Sequence, residues 1–253
     1  MEQGASSVES VESLELPEKQ PAICPVANCP AVVRHTHLLR HMISEHLDPR
    51  SRTLPFQLRL RQVTSGQRTL LMLAYRQLIL DRDQCLAVLN WSPEAPFGLM
   101  EPQLDLPPCH QALTLHLPVL VMVCRTTWKA LLKQDKGDKR SRHADPDPDS
   151  EWGTVYLLWL VAPFTRRPIG ASLAVLNSQL QCIVRRNRRR IRNFASRMPI
   201  SRFINGLDPF FVSLNEDELD EQCDGVGDQA SVFLEVIIEG GAGHLTAISN
   251  RKL

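Results

Sequence analysis

The chain has 253 residues, a formal net charge of +1 and 43% hydrophobic residues, with a mean hydropathy of −0.17. This composition allows a substantial core in one or two domains, and the near-neutral charge gives no general indication of a nucleic-acid or membrane partner. The seven cysteines lack regular pairing, and neither a signal peptide nor a long apolar segment occurs. We therefore expect an intracellular protein with reduced thiols, nuclear or cytoplasmic.

Both ends of the sequence are predicted to lack fixed structure. Residues 1–20 are acidic and rich in serine, with too few large apolar side chains to offset the entropy lost on ordering. Residues 240–253 follow the last predicted strand and are expected to form a flexible tail.

Two cysteines and two histidines follow the acidic segment with the spacing C-x4-C-x11-H-x4-H. They are Cys24, Cys29, His41 and His46. Thiolates and neutral imidazoles are the ligands that Zn²⁺ takes in tetrahedral structural sites, and the spacing is close to that of a Cys2His2 zinc finger. We predict a zinc finger over residues 21–50 with structural Zn²⁺ as its cofactor. A chance grouping in a helical hairpin is the alternative.

The residues between the ligands suit the small core of a finger. From Thr36 the chain suits a helix, and Leu38 lies one turn before His41 on the same face. We expect Leu38, Val32 and Val33 to pack beneath the metal. Because five positions separate His41 from His46, the end of the helix must loosen to bring both rings to one ion.

Beyond residue 54 the sequence changes to short segments rich in β-branched and aromatic residues. Residues 56–63 alternate between apolar and polar side chains and predict a strand, whereas residues 68–80 fit either a helix or two strands. Further strands are predicted at 85–91, 119–128, 154–162, 169–177 and 231–239. Since no helices alternate with them, we predict a mainly β fold, an antiparallel β-sandwich over residues 54–239.

Three segments are predicted to form mobile surface loops. Residues 92–108 are rich in proline. Residues 134–150 are charged and rich in aspartate, with two prolines and one glycine, and residues 215–229 are acidic. Proline cannot donate to a strand ladder, and breaker residues favour turns, so none of these segments is expected to continue a central strand.

Six arginines lie within the eight residues from Arg185 to Arg192. Such a cluster is typical of a nuclear localisation signal or a phosphate-binding patch. The following residues, IRNFASRMPI, continue with apolar alternation, so we interpret the cluster as a basic hairpin on a folded sheet.

Four segments in order carry a resemblance to a known family: VYLLWLVAPFTRRPIGASLAVLN, RNRRRIRNFASRMPIS, DPFFVSLNEDEL and VFLEVII. Together they resemble the C-terminal half of the substrate-binding domain of the Seven-in-absentia (Siah) ubiquitin ligases. That domain is a TRAF-like β-sandwich, and it follows a zinc-finger region whose last finger ends in His-x-x-x-His. The resemblance spans residues 24–239 and is strongest over 154–239. The chain is also similar to an uncharacterised insect family of this architecture, which implies no mechanism.

The resemblance implies binding rather than catalysis. A Siah ligase recruits its conjugating enzyme through a RING domain, but 23 residues precede Cys24 and no second set of paired cysteines occurs. We expect a non-catalytic adaptor that holds a peptide of a partner protein against a sheet edge or groove. Such an adaptor could link a target to a ubiquitin ligase, and the chain could also pair with a second copy of itself. The resemblance does not identify the peptide-binding residues.

The alternative function is nucleic-acid binding by the predicted finger. The finger register would present Arg34, His37 and Arg40 to base edges. Residues of the arginine cluster would add phosphate contacts, namely Arg186, Arg188 and Arg189. One finger covers only about three base pairs, so this hypothesis is the weaker one.

An enzyme is the third class, and the sequence contains no motif for one. Cys109 and His110, with His116 nearby, could form a nucleophile and base or a second metal site, but beside a proline-rich loop we interpret them as ordinary residues. The tryptophans are expected in the core or at its rim. They are Trp91, Trp128, Trp152 and Trp159.

Overall fold

The computed structural model describes residues 20–47, 58–96, 98–135, 153–196, 210–221 and 230–240. Several predictions lie outside these residues: nearly all of the disordered N terminus, most of the loop at 134–150, the loop from residue 222 to 229, and the tail beyond residue 240. Trp152 lies outside them as well. Within the described part, no helix is long and apolar enough to span a membrane.

The described residues are mainly β, as the sequence predicts. The strands, in chain order, are β1 Ala22–Ile23, β2 Val32–Val33, β3 Arg59–Thr64, β4 Arg68–Leu73, β5 Arg82–Ser92, β6 Leu117–Thr127, β7 Thr154–Ala162, β8 Gly170–Leu176, β9 Cys182–Arg190, β10 Arg192–Asn193, β11 Val212–Asn215 and β12 Val232–Glu239. The α-helices are α1 Leu38–His41, α2 Trp128–Asp135 and α3 Glu216–Asp220.

These strands form three sheets. One contains only β1 and β2, a six-stranded sheet has the order β10-β7-β6-β5-β3 with β11 also paired to β7, and a four-stranded sheet has the order β4-β12-β8-β9. The strand predicted at 154–162 is β7 with the same bounds, and most other predicted strands agree within a few residues. The ambiguous stretch 68–80 forms β4, then a 3₁₀ turn at Tyr75–Gln77.

Two pairings correct the prediction of a wholly antiparallel arrangement. β3 runs parallel to β5, and β10 runs parallel to β7. The chain leaves β3 through a turn into β4, which belongs to the other large sheet, and returns to the first sheet as β5. Two reversals of direction therefore separate β3 from β5, so the strands run the same way.

A buried apolar cluster joins the two large sheets. Leu89, Val121 and Leu158 of the six-stranded sheet share it with Leu71 and Leu234 of the four-stranded sheet. The alternate residues of the six-stranded sheet face the opposite way, toward a second cluster that includes Val88 and Met122. Because successive side chains of a strand point to opposite faces, this sheet is buried on both sides.

The acidic stretch predicted as a mobile loop at 215–229 begins with a fixed helix. Residue 215 ends β11, and α3 carries a capping box in which the Glu218 carboxylate accepts from the Asn215 backbone N–H at 3.1 Å. At the other end of α3, Asp220 Oδ1 accepts from Tyr75 Oη and Arg76 Nη2, each at 2.8 Å. The sequence signal for this helix was the Asn-x-x-Glu spacing before Leu219, which is buried.

Asp220 is expected to stabilise the fold only above acidic pH. Partial burial alone would raise its pKa, but hydrogen bonds from Arg76 and Tyr75 bring the pKa below its ordinary value. A depressed folded-state pKa gives stability that is complete above the unfolded value of about 3.9 and is lost as pH falls through the folded value. Because the carboxylate is well exposed, we expect Asp220→Asn to lose only about 0.5–1 kcal/mol at pH 7, and this loss should shrink as the pH falls below the unfolded-state pKa.

Urea unfolding at a series of pH values measures this effect, with Glu221→Gln as the control because Glu221 is exposed at the same helix end. A loss for Asp220→Asn that stays constant as the pH falls below about 3.9 would contradict the ionic origin.

Candidate metal centre

The four predicted ligands lie together at the N-terminal module, which we define as residues 20–47. Cys24 follows β1, and Cys29 precedes β2, so the two thiols flank the turn of a short hairpin. The turn is closed by bonds from the Cys24 N–H to the Ala31 C=O at 2.9 Å and from the Cys29 N–H to the Val26 C=O at 3.2 Å. Asn28 has φ of 64°, a left-handed conformation that asparagine tolerates.

The spacing of the ligand atoms fits one tetrahedral ion. All four atoms lie within 4.8 Å of one another. Sγ of Cys24 is 3.4 Å from Nε2 of His46, Sγ of Cys29 is 3.4 Å from Nε2 of His41, and the two Nε2 atoms are 3.2 Å apart. A tetrahedron with metal–sulfur bonds of about 2.3 Å and metal–nitrogen bonds of about 2.0–2.1 Å has edges of roughly 3.5 and 3.3 Å between these atoms.

The end of the helix loosens in the way that the histidine spacing requires. α1 ends at His41, and Met42–His46 forms a π-helical turn in which the Leu47 N–H donates to the Met42 C=O at 2.9 Å. In a regular α-helix, five residues turn through about 500°, which would leave the second ring about 140° from the first. The wider π turn, with its i→i+5 bonds, brings the two rings to the same side.

Burial sets the protonation of the ligands. It lowers the pKa of His46 to about 4, with a further contribution from His41, and it lowers the pKa of His41. Both rings are therefore neutral at physiological pH, as metal ligands must be. Burial raises the pKa of the Cys24 thiol to about 12 in the absence of an ion. A bound cation must displace that proton, so metal binding at this cluster releases protons.

The small core beneath the ligands corrects one prediction. Leu38 and Val33 are buried, as expected, and Met42 is buried beside them, but the Val32 side chain is 68% exposed. Neighbouring residues of a strand point to opposite faces, so Val32 and Val33 cannot both face the helix.

The module is packed against the outer face of the six-stranded sheet. Leu38, Leu39 and Met42 share a buried cluster with Val88, Met122 and other residues of β5–β7. Polar contacts reinforce the packing: the Ala27 N–H donates to the Asp83 C=O at 2.8 Å. The Phe164 N–H donates to Nδ1 of His35 at 2.8 Å. The module is thus a fixed layer of the fold rather than an independent appendage.

The proline-rich segment predicted as a mobile loop at 92–108 supplies a second attachment. Gln103 is 2% exposed, its Oε1 accepts from the Leu39 N–H at 3.1 Å, and its Nε2 donates to the His35 C=O at 3.0 Å. The Leu104 N–H donates to the Thr36 C=O at 2.7 Å. This part of the predicted loop is therefore tied to the start of the module's helix.

We expect Gln103→Ala to destabilise the chain by about 2–4 kcal/mol. The substitution leaves one buried N–H and one buried C=O without their partner, and each such group costs about 1–3 kcal/mol. Urea unfolding measures the loss, and Gln111→Ala is the matched control because Gln111 is exposed. If both variants unfold at the same urea concentration, Gln103 does not stabilise the docked module.

The predicted base-reading residues lie on the module, but two of them already have a partner. Nε2 of His37 and Nη1 of Arg40 both lie 3.2 Å from Oδ2 of Asp105. Arg34 is exposed and precedes the helix. The contacts with the Asp105 carboxylate reduce the positive charge that this face offers to phosphate groups.

The arginine cluster lies in another layer and is largely engaged there. The cluster lies on a folded sheet, as predicted, but its strand β9 pairs antiparallel with the preceding strand β8. The last arginine of the cluster begins β10, which belongs to the other large sheet. Arg186 donates to Glu235, with Nε at 3.1 Å, and Nη2 of Arg188 lies 2.8 Å from Glu239. Nε of Arg189 donates to the Phe211 C=O at 2.5 Å. The structure thus does not bring the two predicted groups of nucleic-acid contacts together, since the four-stranded sheet and the module pack on opposite faces of the six-stranded sheet.

The remaining sequence candidates do not form a second site among the described residues. Sγ of Cys109 lies 3.1 Å from Nδ1 of His110, both at the surface, and the Cys2His2 group is the one metal-competent cluster found there. Trp91 and Trp159 are buried, and Trp128 is half-buried. Sequence reasoning missed Gln103 and Glu235, because a polar residue inside a proline-rich or apolar stretch gives no local sign of its distant partners.

Fold and site together define a mainly β protein whose N-terminal Cys2His2 cluster can bind one metal ion. Residues 23–225 match the family model described as a domain of unknown function, DUF4729. Since this match covers most of the chain, the protein belongs to the DUF4729 family. The match begins at the hairpin of the module and extends past α3. A search of curated proteins gave no match.

Proposed function

We propose that the chain is a non-catalytic protein-binding adaptor, in which a structural zinc ion fastens a Cys2His2 finger to a TRAF-like β-sandwich. The observation that carries the proposal is the docked module. The apolar face of the finger helix packs on the six-stranded sheet, and the side chains of His37 and Arg40 contact Asp105. Such a finger is a structural part of a larger binding surface.

Zinc is the metal that suits the donor set. Two thiolates and two imidazoles in a tetrahedron favour Zn²⁺ over Mg²⁺ or Ca²⁺, which prefer oxygen ligands. Four protein ligands also leave no open position for a water molecule or substrate, which is the difference between structural and catalytic zinc sites. The ion's role here is to hold Cys24 and Cys29 of the hairpin against His41 and His46 of the helix.

The sequence resemblance to the Siah substrate-binding domain supports the adaptor proposal. Two large sheets share one core and follow a Cys/His module in the chain, which is the order that the resemblance implies. The family match begins inside the module and covers most of the strands, so these parts recur together. A link to a ubiquitin ligase through a bound partner is part of this proposal, with the zinc finger acting as a rigid neighbour of the peptide-binding surface.

Protein binding is favoured over nucleic-acid binding by the charge pairing. Arg40 of the finger faces Asp105, while Arg186 and Arg188 of the cluster face Glu235 and Glu239. Phosphate binding depends on unpaired cations that release counterions, and these arginines have carboxylate partners. The two basic groups also lie on different layers.

Affinity purification of the intact protein from its own cells, with and without nuclease, tests the proposal. We expect a defined set of partner proteins, identified by mass spectrometry, to remain bound after nuclease treatment. Ligase subunits among them would support the link to ubiquitination. Loss of all partners with nuclease, together with a salt-dependent affinity for DNA that Arg34→Ala and Arg40→Ala both reduce, would overturn the proposal in favour of nucleic-acid binding.

A further inference from the structure

A groove of about 440 Å³ runs between β2 and the helical part of the module. Four consecutive residues, 31–34, line one wall, and His37 and Arg40 lie on the opposite wall. Side chains of an extended chain alternate between two faces, so a continuous stretch can line a groove only along its backbone edge. The groove therefore follows an edge of β2.

That edge of β2 offers unpaired backbone groups. The bond from the Cys24 N–H to the Ala31 C=O makes these two residues a hydrogen-bonded pair of the hairpin. Because such pairs alternate with non-hydrogen-bonded pairs along antiparallel strands, the next pair, Ile23 and Val32, is of the second kind. The N–H and C=O of Val32 thus point away from β1, toward the groove. Within the described residues, β2 pairs with β1 alone.

The side chains around the groove indicate what kind of strand would fit. The exposed side chains of Val32 and Ile23 form an apolar cross-strand pair on the outer face of the hairpin. Arg34 is exposed, and Arg40 is half exposed on the facing wall. His37 and Arg40 already contact Asp105, so Arg34 is the groove cation that a ligand's carboxylate would meet.

We propose that an extended segment of a partner protein adds to β2 in this groove, with an acidic side chain beside the exposed Arg34 and an apolar one against Val32. Strand addition supplies affinity through main-chain hydrogen bonds, and the flanking side chains supply selectivity. Glu45 also lines the groove and disfavours a second acidic residue beside it. This inference rests on the proposed protein-binding function and assigns its contact site.

Selection from a displayed library of random linear 12-residue peptides on the zinc-loaded full-length protein tests the groove. We expect the enriched peptides to combine aspartate or glutamate with β-branched residues, and to shift the backbone NMR signals of Val32 and Arg34. The variant Arg34→Glu/Arg40→Glu should bind these peptides at least about tenfold more weakly, since opposed charges replace attractive ones. Arg167→Glu is the control, because Arg167 is exposed and lines a different pocket.

Zinc content of one ion per chain shows that the charge-reversed variant keeps the folded module. The inference is overturned if no peptide is enriched, if the enriched peptides bind the double variant as tightly as the wild type, or if their signals shift elsewhere. It is overturned also if a 12-nucleotide single-stranded DNA shifts the same signals more strongly than the peptides do.

Affinity purification of the double variant separates this inference from the proposed function. If nuclease-resistant partners remain bound to Arg34→Glu/Arg40→Glu as they do to the wild type, the protein-binding function stands and the groove is not its site. If the wild-type protein itself retains no partner after nuclease treatment, the function fails, whatever the peptides do.

Discussion

The variant Cys29→Ser is expected to purify with far less than one zinc ion per chain, whereas the wild type should carry one. Each ligand contributes directly to the metal's coordination, and even outer partners of ligands change metal affinity about 10–100-fold. We therefore expect zinc affinity to fall by more than about 100-fold. Zinc measured by mass spectrometry after dialysis against a weak chelator gives the stoichiometry.

Loss of the metal should also expose the sheet beneath the module. Metal binding supplies most of the folding free energy of a finger, so the zinc-free module should unfold. Its departure uncovers the apolar residues of β5–β7 that it covers, including Val88 and Met122. We expect an increase in binding of a hydrophobic dye with little loss of far-ultraviolet β signal, because the core between the two large sheets is a separate cluster.

The matched control for this substitution is Cys109→Ser. Cys109 is also a reduced cysteine, but it lies at the surface outside the cluster. It should keep one zinc ion and wild-type dye binding. A Cys29→Ser protein that retains a full zinc ion after dialysis would show that the ligand assignment is wrong.

The Cys2His2 cluster could be predicted from sequence because its geometry is local. All four lie within 23 residues, and the spacing alone requires a hairpin, a helix and a loosened helix end. The strands could also be predicted, since a short continuous apolar run bounded by turn residues indicates a buried strand, as in the agreement of residues 154–162 with β7. The coarse β character of the fold follows from the same signal.

The missed features all depend on contacts that are distant in sequence. Nothing near Gln103 indicates that it satisfies the Leu39 N–H, 64 residues away. The parallel pairing of β3 with β5 depends on β4 joining the other sheet, which strand patterns cannot reveal. The exposure of Val32 could have been predicted from the sequence, because neighbouring side chains of a strand point to opposite faces and Val32 and Val33 cannot both be buried against the helix.

Glu235 is a buried carboxylate in the four-stranded sheet and needs cationic partners there. It lies in the central strand β12 with its side chain 2% exposed, and Arg68 of β4 and Arg186 of β9 both donate to it. Its neighbour across the β8 ladder is Ala174, whose small side chain lets Arg186 reach over from the edge strand. Two half-exposed cations thus compensate one buried anion.

The variant Arg68→Met/Arg186→Met is expected to lose about 3–5 kcal/mol of unfolding free energy, more than the two single variants lose together. Either arginine alone still compensates Glu235, but removing both leaves a buried carboxylate without a cation. Adding Glu235→Leu should recover most of the loss, because an apolar residue of similar size needs no partner. Urea unfolding of the four variants measures both effects. Strictly additive single losses, with no recovery in the triple variant, would show that the arginines stabilise the sheet through packing of their aliphatic stems rather than by compensating Glu235.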